Sequence, residues 1–324
     1  MTTLITGATG FLGPHVVWEA AAHGAVVAAD LAPPEQTVRA FLARDQSRAV
    51  RVTWVTADVT DYNDLCDAAR GHRITHLIHA AAVTPDTTAE AVGMRETIAI
   101  NVLGTAHALD LARTLGVERT IVFSSSAVYA ANDGTPLIEE SAWRDTGSYV
   151  VSKQSVERLA AFAAAGYGMD VVAVRPAALF GPLERPTHAR QAMSSIYDLM
   201  QMALNGDEIR VPHDALIRDW TAASEVAHAV IALLHAPVLT HRVYNVGAGR
   251  GYAIEEVLAA LMSAIPSVRW RFTSPEEANV TFGIGMRRGP LAITRLLAVP
   301  DADIRSDLAI LLSEYCDWLG HHPY

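Results

Sequence analysis

Tyr149 and Lys153 stand four residues apart in Tyr149-Val150-Val151-Ser152-Lys153, and their types and spacing suit proton transfer. Lys153 is the one lysine among the 25 lysines and arginines of the chain. A compact ammonium with three rotatable donors is not interchangeable with a planar guanidinium fork. On a helix, positions i and i+4 share a face, so the ammonium can stand beside the phenol. A tyrosine of ordinary pKa, about 10, is a poor base at neutral pH. A cation held nearby favours phenolate and brings the group toward the working range.

A second constellation is Gly7-Ala8-Thr9-Gly10-Phe11-Leu12-Gly13, which follows a strand-like run at 2–6 and opens a helical stretch. Glycines at such a turn let backbone N–H groups approach a pyrophosphate, and the positive helix end stabilises it. Pro14 falls in the first turn of that helix, where its missing N–H is tolerated. Asp30 ends the second strand-like run, 17 residues past Gly13. A carboxylate there accepts hydrogen bonds from adenosine ribose hydroxyls and repels a 2′-phosphate. The nearest following arginine is Arg39, so the pattern favours NAD over NADP.

Such residues need a scaffold, and the first 175 residues carry its signature. Strand-like runs at 2–6, 25–29, 51–56, 76–79, 120–124 and 171–175 alternate with helical stretches at roughly 11–23, 62–70, 96–115 and 149–165. That alternation implies βαβ units around a buried parallel sheet. Runs such as Thr120-Ile121-Val122-Phe123 are apolar throughout, as expected when both sheet faces are covered. After Arg175 the rhythm weakens at prolines 176, 182, 186 and 212, with a helix expected at 192–204. A helix at 222–234 and a strand at 242–246 resume it, and two amphipathic helices follow Tyr252. The expected fold class is α/β, a Rossmann-type doubly wound parallel sheet with a smaller, discontinuous C-terminal lobe. Residues 1–175 and about 219–248 would form the NAD-binding domain, and 176–218 with 249–324 the substrate lobe.

An ordered set of motifs closely resembles the extended short-chain dehydrogenase/reductase group, the NAD-dependent epimerase/dehydratase family. It comprises the GxxGxxG turn, Asp30, Asp58-Val59, His79-Ala80-Ala81-Ala82, Asn101-Val102-Leu103-Gly104-Thr105, Ser124-Ser125-Ser126-Ala127-Val128-Tyr129 and the Tyr149/Lys153 pair. Arg175-Pro176, Gly181-Pro182, Arg218-Asp219-Trp220 and Tyr244-Asn245-Val246-Gly247 complete it. The resemblance implies that Gly7, Thr9, Gly10, Phe11, Leu12, Gly13 and Asp30 hold NAD. Asp58 and Val59 would lie against its adenine, while His79, Ala80 and Ala81 would run along it. Asn101 would support the nicotinamide side, with Pro176, Tyr149 and Lys153 also touching the cofactor. The catalytic hydroxyl residue of the family falls on Ser125, whereas Ser124 and Ser126 read equally as turn caps. The implied chemistry is hydride transfer from a secondary alcohol, with Tyr149 as base, Lys153 on the nicotinamide ribose and Ser125 orienting the reacting oxygen.

Three departures bear on the substrate. Ser126 and Ala127 replace the Asp-Glu pair of the family's 4,6-dehydratases, so dehydration by that route is not expected. Ala178 replaces an asparagine that helps hold the sugar nucleotide in related enzymes, and a lost hydrogen bond to a charged partner costs about 1.5–3 kcal/mol. Arg210-Val211-Pro212-His213-Asp214-Ala215 replaces the usual glycine-rich loop. Arg218 can bind a diphosphate or a carboxylate, with Arg185, Arg190 and Arg287 as further candidates; Ser125, Ser126 and Ala178 complete the expected substrate contacts.

Composition narrows the alternatives. The chain has 324 residues, 51% of them hydrophobic and 19% charged, enough for a sizeable core. A formal charge of −10 disfavours nucleic-acid and anionic-membrane binding. Cys66 and Cys316 form no metal or disulfide pattern, and the 13 histidines show no ligand spacing, so no metal is expected. No run approaches the roughly 18 apolar residues of a membrane span, and no leader is evident, so a cytoplasmic location is expected. A homodimer is an expectation from the family, with the helices at 96–115 and 149–165 paired across two subunits. Three functions stay open: a dehydrogenase of a polar sugar, polyol or sugar acid, an epimerase of a nucleotide-linked sugar with tightly held NAD, and a noncatalytic NAD-binding protein.

Overall fold

The computed structural model describes residues 1–84, 93–144, 147–212, 217–280 and 288–322. Its strands, in chain order, are β1 (Thr2–Thr6), β2 (Ala25–Asp30), β3 (Val52–Thr56), β4 (His76–His79), β5 (Arg119–Phe123), β6 (Val171–Pro176), β7 (Ala178–Phe180), β8 (Glu208–Pro212), β9 (Trp220–Ala222), β10 (Val243–Val246) and β11 (Arg269–Thr273). Seven of them make one parallel sheet in the order β10-β6-β5-β4-β1-β2-β3. This is the doubly wound α/β arrangement of the Rossmann fold, whose chain reverses its direction of growth between β1 and β4. Ligands of such sheets bind beyond the carboxyl ends of the strands at that reversal.

Helices cover both faces because the central strands are apolar on both. Every residue of β4, β5 and β6 is buried. The Gly13–His23 helix packs with the Ala223–His235 helix, and the Gly104–Leu115 helix with the Ser148–Tyr167 helix. Two small parallel sheets, β7 with β9 and β8 with β11, lie outside the main one. No helix among the described residues is long and apolar enough to cross a membrane.

The expected helix over 96–115 is interrupted. Met94–Ile98 is α-helical, Ala99–Leu103 is a π-turn, and the α-helix resumes over Gly104–Leu115. A single widened turn of this kind displaces the side chains around it and is frequent at functional sites. Here it carries Asn101. The four short strands β7, β8, β9 and β11 were not among the sequence expectations. They are three to five residues long and sit among prolines and charged residues, too short for a periodic signal.

Candidate active site

The glycine turn lies between β1 and the helix that follows, and its close packing explains two of the three glycines. Gly7 has a φ of 70°, and a Cβ there would lie 2.5 Å from the Ala81 nitrogen. At Gly13 a Cβ would come within 2.0 Å of the Gly7 carbonyl oxygen. Gly10 is exposed, and a Cβ there would meet nothing nearer than the Gly7 oxygen at 3.5 Å, so its outer surface is open. Asp30 ends β2 beside this turn, its carboxylate accepting the N–H of Thr9 and of Leu31, each at 2.8 Å. Two backbone donors thus orient a carboxylate whose other lone pairs suit ribose hydroxyls. A cleft of about 470 Å³ adjoins it, lined by Leu31, Asp58, Thr60, Arg95, Glu96 and Ile100 among others. Asp58 also caps its own turn through the N–H and hydroxyl of Thr60. Val59 instead packs inward, 2.8 Å from where a Cβ on Gly104 would stand.

The segment after β4 is held from below. His79 is buried and its Nδ1 meets the Thr6 hydroxyl at 2.8 Å, while its Nε2 has no hydrogen-bond partner among the described residues. Burial, reinforced by the Lys153 charge, pulls its pKa down to about 3, so the ring is neutral. Ala80 donates its N–H to the Thr6 carbonyl. Asn101 uses both ends of its amide on neighbours: Oδ1 accepts from Val83 N–H at 2.9 Å, and Nδ2 donates to the Val83 carbonyl and to the Ser152 hydroxyl. It ties the Ala80–Val83 segment to the helix that carries Tyr149.

That helix, Ser148–Tyr167, begins after Gly147 at φ 101° and presents Lys153 and Glu157 inward. Tyr149 lies in its first turn. Its hydroxyl hydrogen-bonds Ser125 and Thr84. The Lys153 ammonium is buried, 5.7 Å from the centre of the Tyr149 ring, and donates to the Phe123 carbonyl at 2.9 Å. Burial brings its pKa down to about 8. Burial also raises the Tyr149 phenol above its ordinary range, opposed by the Ser125 hydrogen bond, the Arg190 charge and the Thr84 hydrogen bond. The expected lowering of the phenol is therefore outweighed by desolvation in the free chain. Ser125 caps a short turn, its Oγ accepting from Ala127 N–H at 3.1 Å. Ser124 points into the core and bonds Glu157.

Beyond Ser126 lies a cationic surface that the sequence only partly announced. Arg288 donates to the Ser126 carbonyl at 2.7 Å. Burial, with Arg218 and Arg144 nearby, pushes its pKa down to about 10. Arg218 is likewise lowered by burial, and its backbone pairs with Tyr252. Arg144 and Arg288 were absent from the expected contacts because 144 and 288 are brought beside 218 only by the fold. Ala178 opens β7 and donates its N–H to the Asp219 carbonyl, and Pro176 closes β6. Arg185 pairs with Glu35 and Arg190 with Glu184, so both meet carboxylates. Arg287 and the His213-Asp214-Ala215 part of the altered loop lie outside the described residues.

A family model described as the NAD dependent epimerase/dehydratase family matches residues 3–247. The chain therefore belongs to the NAD-dependent epimerase/dehydratase family, and its cofactor is NAD. It is 27% identical over 332 residues to a dTDP-4-dehydro-6-deoxy-D-allose reductase of Streptomyces bikiniensis, covering 99% of this chain and 97% of that one. With a UDP-glucose 4-epimerase of Streptomyces lividans it shares 25% identity over 244 residues, 69% of each chain. Among solved structures, MoeE5 in complex with UDP-glucuronic acid and NAD matches with a TM-score of 0.79 at 26% identity, over 99% of both chains. A UDP-glucose 4-epimerase of Stenotrophomonas maltophila with bound NAD shares the fold, with a TM-score of 0.83 at 21% identity over 99% of this chain and 98% of that one. The chain is thus an enzyme of the extended short-chain dehydrogenase/reductase type.

Proposed function

We propose that this enzyme moves a hydride between NAD and a secondary alcohol on a sugar carrying a diphosphate-linked nucleotide. The observation that carries the reading is the meeting of Ser125, Tyr149 and Lys153 at the carboxyl ends of the central strands, with Arg144, Arg218 and Arg288 grouped beyond Ser126. Partly desolvated arginines placed together repel one another, and an anion with several oxygens relieves that repulsion. This outweighs the loss of the asparagine at Ala178 and of the usual glycine-rich loop, which weaken the case for a nucleotide tether. The relatives named for dTDP- and UDP-sugars point the same way.

The roles follow from the donors each residue has left. Tyr149 Oη takes the carbinol proton as the alcohol is oxidised, or returns it on reduction. Ser125 Oγ already accepts Ala127 N–H, so its single O–H can be turned onto the reacting oxygen. Lys153 spends one N–H on the Phe123 carbonyl and keeps two for ribose hydroxyls. Gly7, Thr9, Gly10, Phe11, Leu12 and Gly13 would cradle the pyrophosphate and Asp30 the adenosine ribose. NAD, when bound, supplies the hydride acceptor.

A panel of nucleotide-linked sugars, free sugar acids and polyols, offered with NAD and in parallel their keto forms with NADH, tests the reading. Stoichiometric change in NADH absorbance with a nucleotide sugar supports net oxidoreduction. An isomerised nucleotide sugar without net NADH supports the second reading, an epimerase that returns the hydride within each turnover. Turnover only of free sugar acids or polyols would remove the diphosphate from the account.

A further inference from the structure

Residues 183–194 touch both flanks of the cofactor groove. Arg185 reaches Glu35, beyond the end of β2, at 3.1 Å. His188 meets Glu96 at 2.6 Å, on the helix that lines the cleft next to Asp58. Between these ties lies Arg190. Its guanidinium stacks 4.8 Å from the centre of the Phe11 ring in the glycine turn. Its Nη2 donates to Glu184 at 2.5 Å, a carboxylate with no exposed surface that Ser194 also holds through its N–H and hydroxyl. Leu183, fully buried, takes a left-handed φ of 70° just ahead of Glu184, a conformation that leucine rarely adopts. Along its backbone, Arg190 bridges in parallel to Thr84, and Thr84 donates its N–H to the Ala189 carbonyl at 2.7 Å. Thr84 in turn hydrogen-bonds the Tyr149 hydroxyl.

We infer that Arg190 is a positioning residue for this reaction: through Thr84 it fixes the Tyr149 hydroxyl, and through Phe11 it locks that hydroxyl to the cofactor turn. The inference rests on reading Tyr149 as the base. It also reassigns Arg190, which the sequence offered as an anion contact. With one nitrogen on Glu184 and one face on Phe11, the guanidinium is committed inside the groove, while Arg144, Arg218 and Arg288 gather beyond Ser126. Among the described residues, the charged groups that bear on Tyr149 are Lys153 on its own helix, with neutral His79 near that lysine, and Arg190, paired with Glu184, from the crossing segment. Arg190 supplies a positive charge that favours phenolate, and Thr84 supplies a hydrogen bond that does the same.

The test reads Tyr149 itself rather than turnover. Tyrosinate absorbance is recorded immediately after rapid pH jumps, and the signal of the same background carrying Tyr149→Phe is subtracted. Arg190→Gln and Thr84→Val are each expected to move the Tyr149 midpoint to higher pH by about half a unit or more. Arg190→Lys keeps a charge without the fork, so it should restore part of the shift, and Thr84→Ser should restore nearly all of it. An unmoved midpoint in Thr84→Val, whose fold is checked by circular dichroism, overturns the inference even if Arg190→Gln destabilises the chain by stranding Glu184. Failure of the base reading shows separately, as undiminished turnover of Tyr149→Phe in the substrate panel.

Discussion

Lys153 is the residue whose identity the chemistry constrains most tightly. Its ammonium is buried and already committed to the Phe123 carbonyl, leaving two N–H groups that the proposed function gives to the ribose. A guanidinium is wider, flatter and unable to turn its donors independently. Lys153→Arg should therefore lower turnover about 100-fold while keeping the charge, read as the rate of NADH formation at saturating substrate. Near-normal turnover would show that ammonium geometry is irrelevant. Asp30 admits a second prediction. On the proposed function, removing its carboxylate takes away both the ribose acceptor and the charge that repels a 2′-phosphate. Asp30→Ala should reduce the preference for NAD over NADP about tenfold, roughly 1.4 kcal/mol, in calorimetric Kd values. An unchanged ratio would mean that the end of β2 does not select the cofactor. Both proposed roles were read from short local patterns in the sequence. Thr84 and Arg144 were not, since nothing near them in the chain signals that they will face Tyr149 or Arg288.

At the level of elements, local pattern placed the six amino-terminal strands of the sheet to within a residue or two, because short runs rich in β-branched and apolar residues alternate with helical stretches. The crossing segment at 183–194 and the π-turn at 99–103 gave no such signal. Both depend on partners far along the chain, Glu35 and Phe11 in one case and Val83 and Ser152 in the other. The same holds for Asp219, recognised as a motif residue but not for its task. Its buried carboxylate accepts from Thr221 Oγ1 at 3.0 Å, Ala248 N at 2.9 Å and Leu291 N at 3.1 Å, tying the start of β9 to the segments at 248 and 291. A Cβ on Gly247 would lie 2.8 Å from its Oδ2, so the loop closes tightly over it. Asp219→Ala should strand several buried donors at about 1–3 kcal/mol each, lowering stability by about 3 kcal/mol or more in denaturant unfolding. Asp219→Asn, which keeps an acceptor, should lose less. Equal stability of both variants and the parent would remove Asp219 as the hub of these segments.

Across the whole molecule, histidines whose pKa burial lowers set an acid limit on the fold. Burial pulls His15 down to about 4, His79 to about 3 and His235 to about 4, from an ordinary 6.5. Each binds a proton more readily in the unfolded chain than in the folded one. The stability that comes from keeping them neutral is therefore present above about pH 6.5 and is lost as pH falls toward 4. Asp219 acts in the opposite sense, since burial raises it to about 6 and the folded chain holds its proton more tightly. Burial raises Glu184 and Asp198 as well, so three carboxyls work against the histidines. With His15 and His79 fully buried, unfolding free energy should fall between pH 7 and 4.5, measured from denaturant midpoints and slopes. His15 isolates one contribution, because its ring packs 4.6 Å from Phe41 in a site that a phenyl ring can fill. His15→Phe should flatten the pH dependence by about 2 kcal/mol over that interval, whatever it does to stability at pH 7. A variant that keeps the full slope would place the acid limit elsewhere in the molecule, at groups whose protonation the folded chain resists more strongly than this histidine.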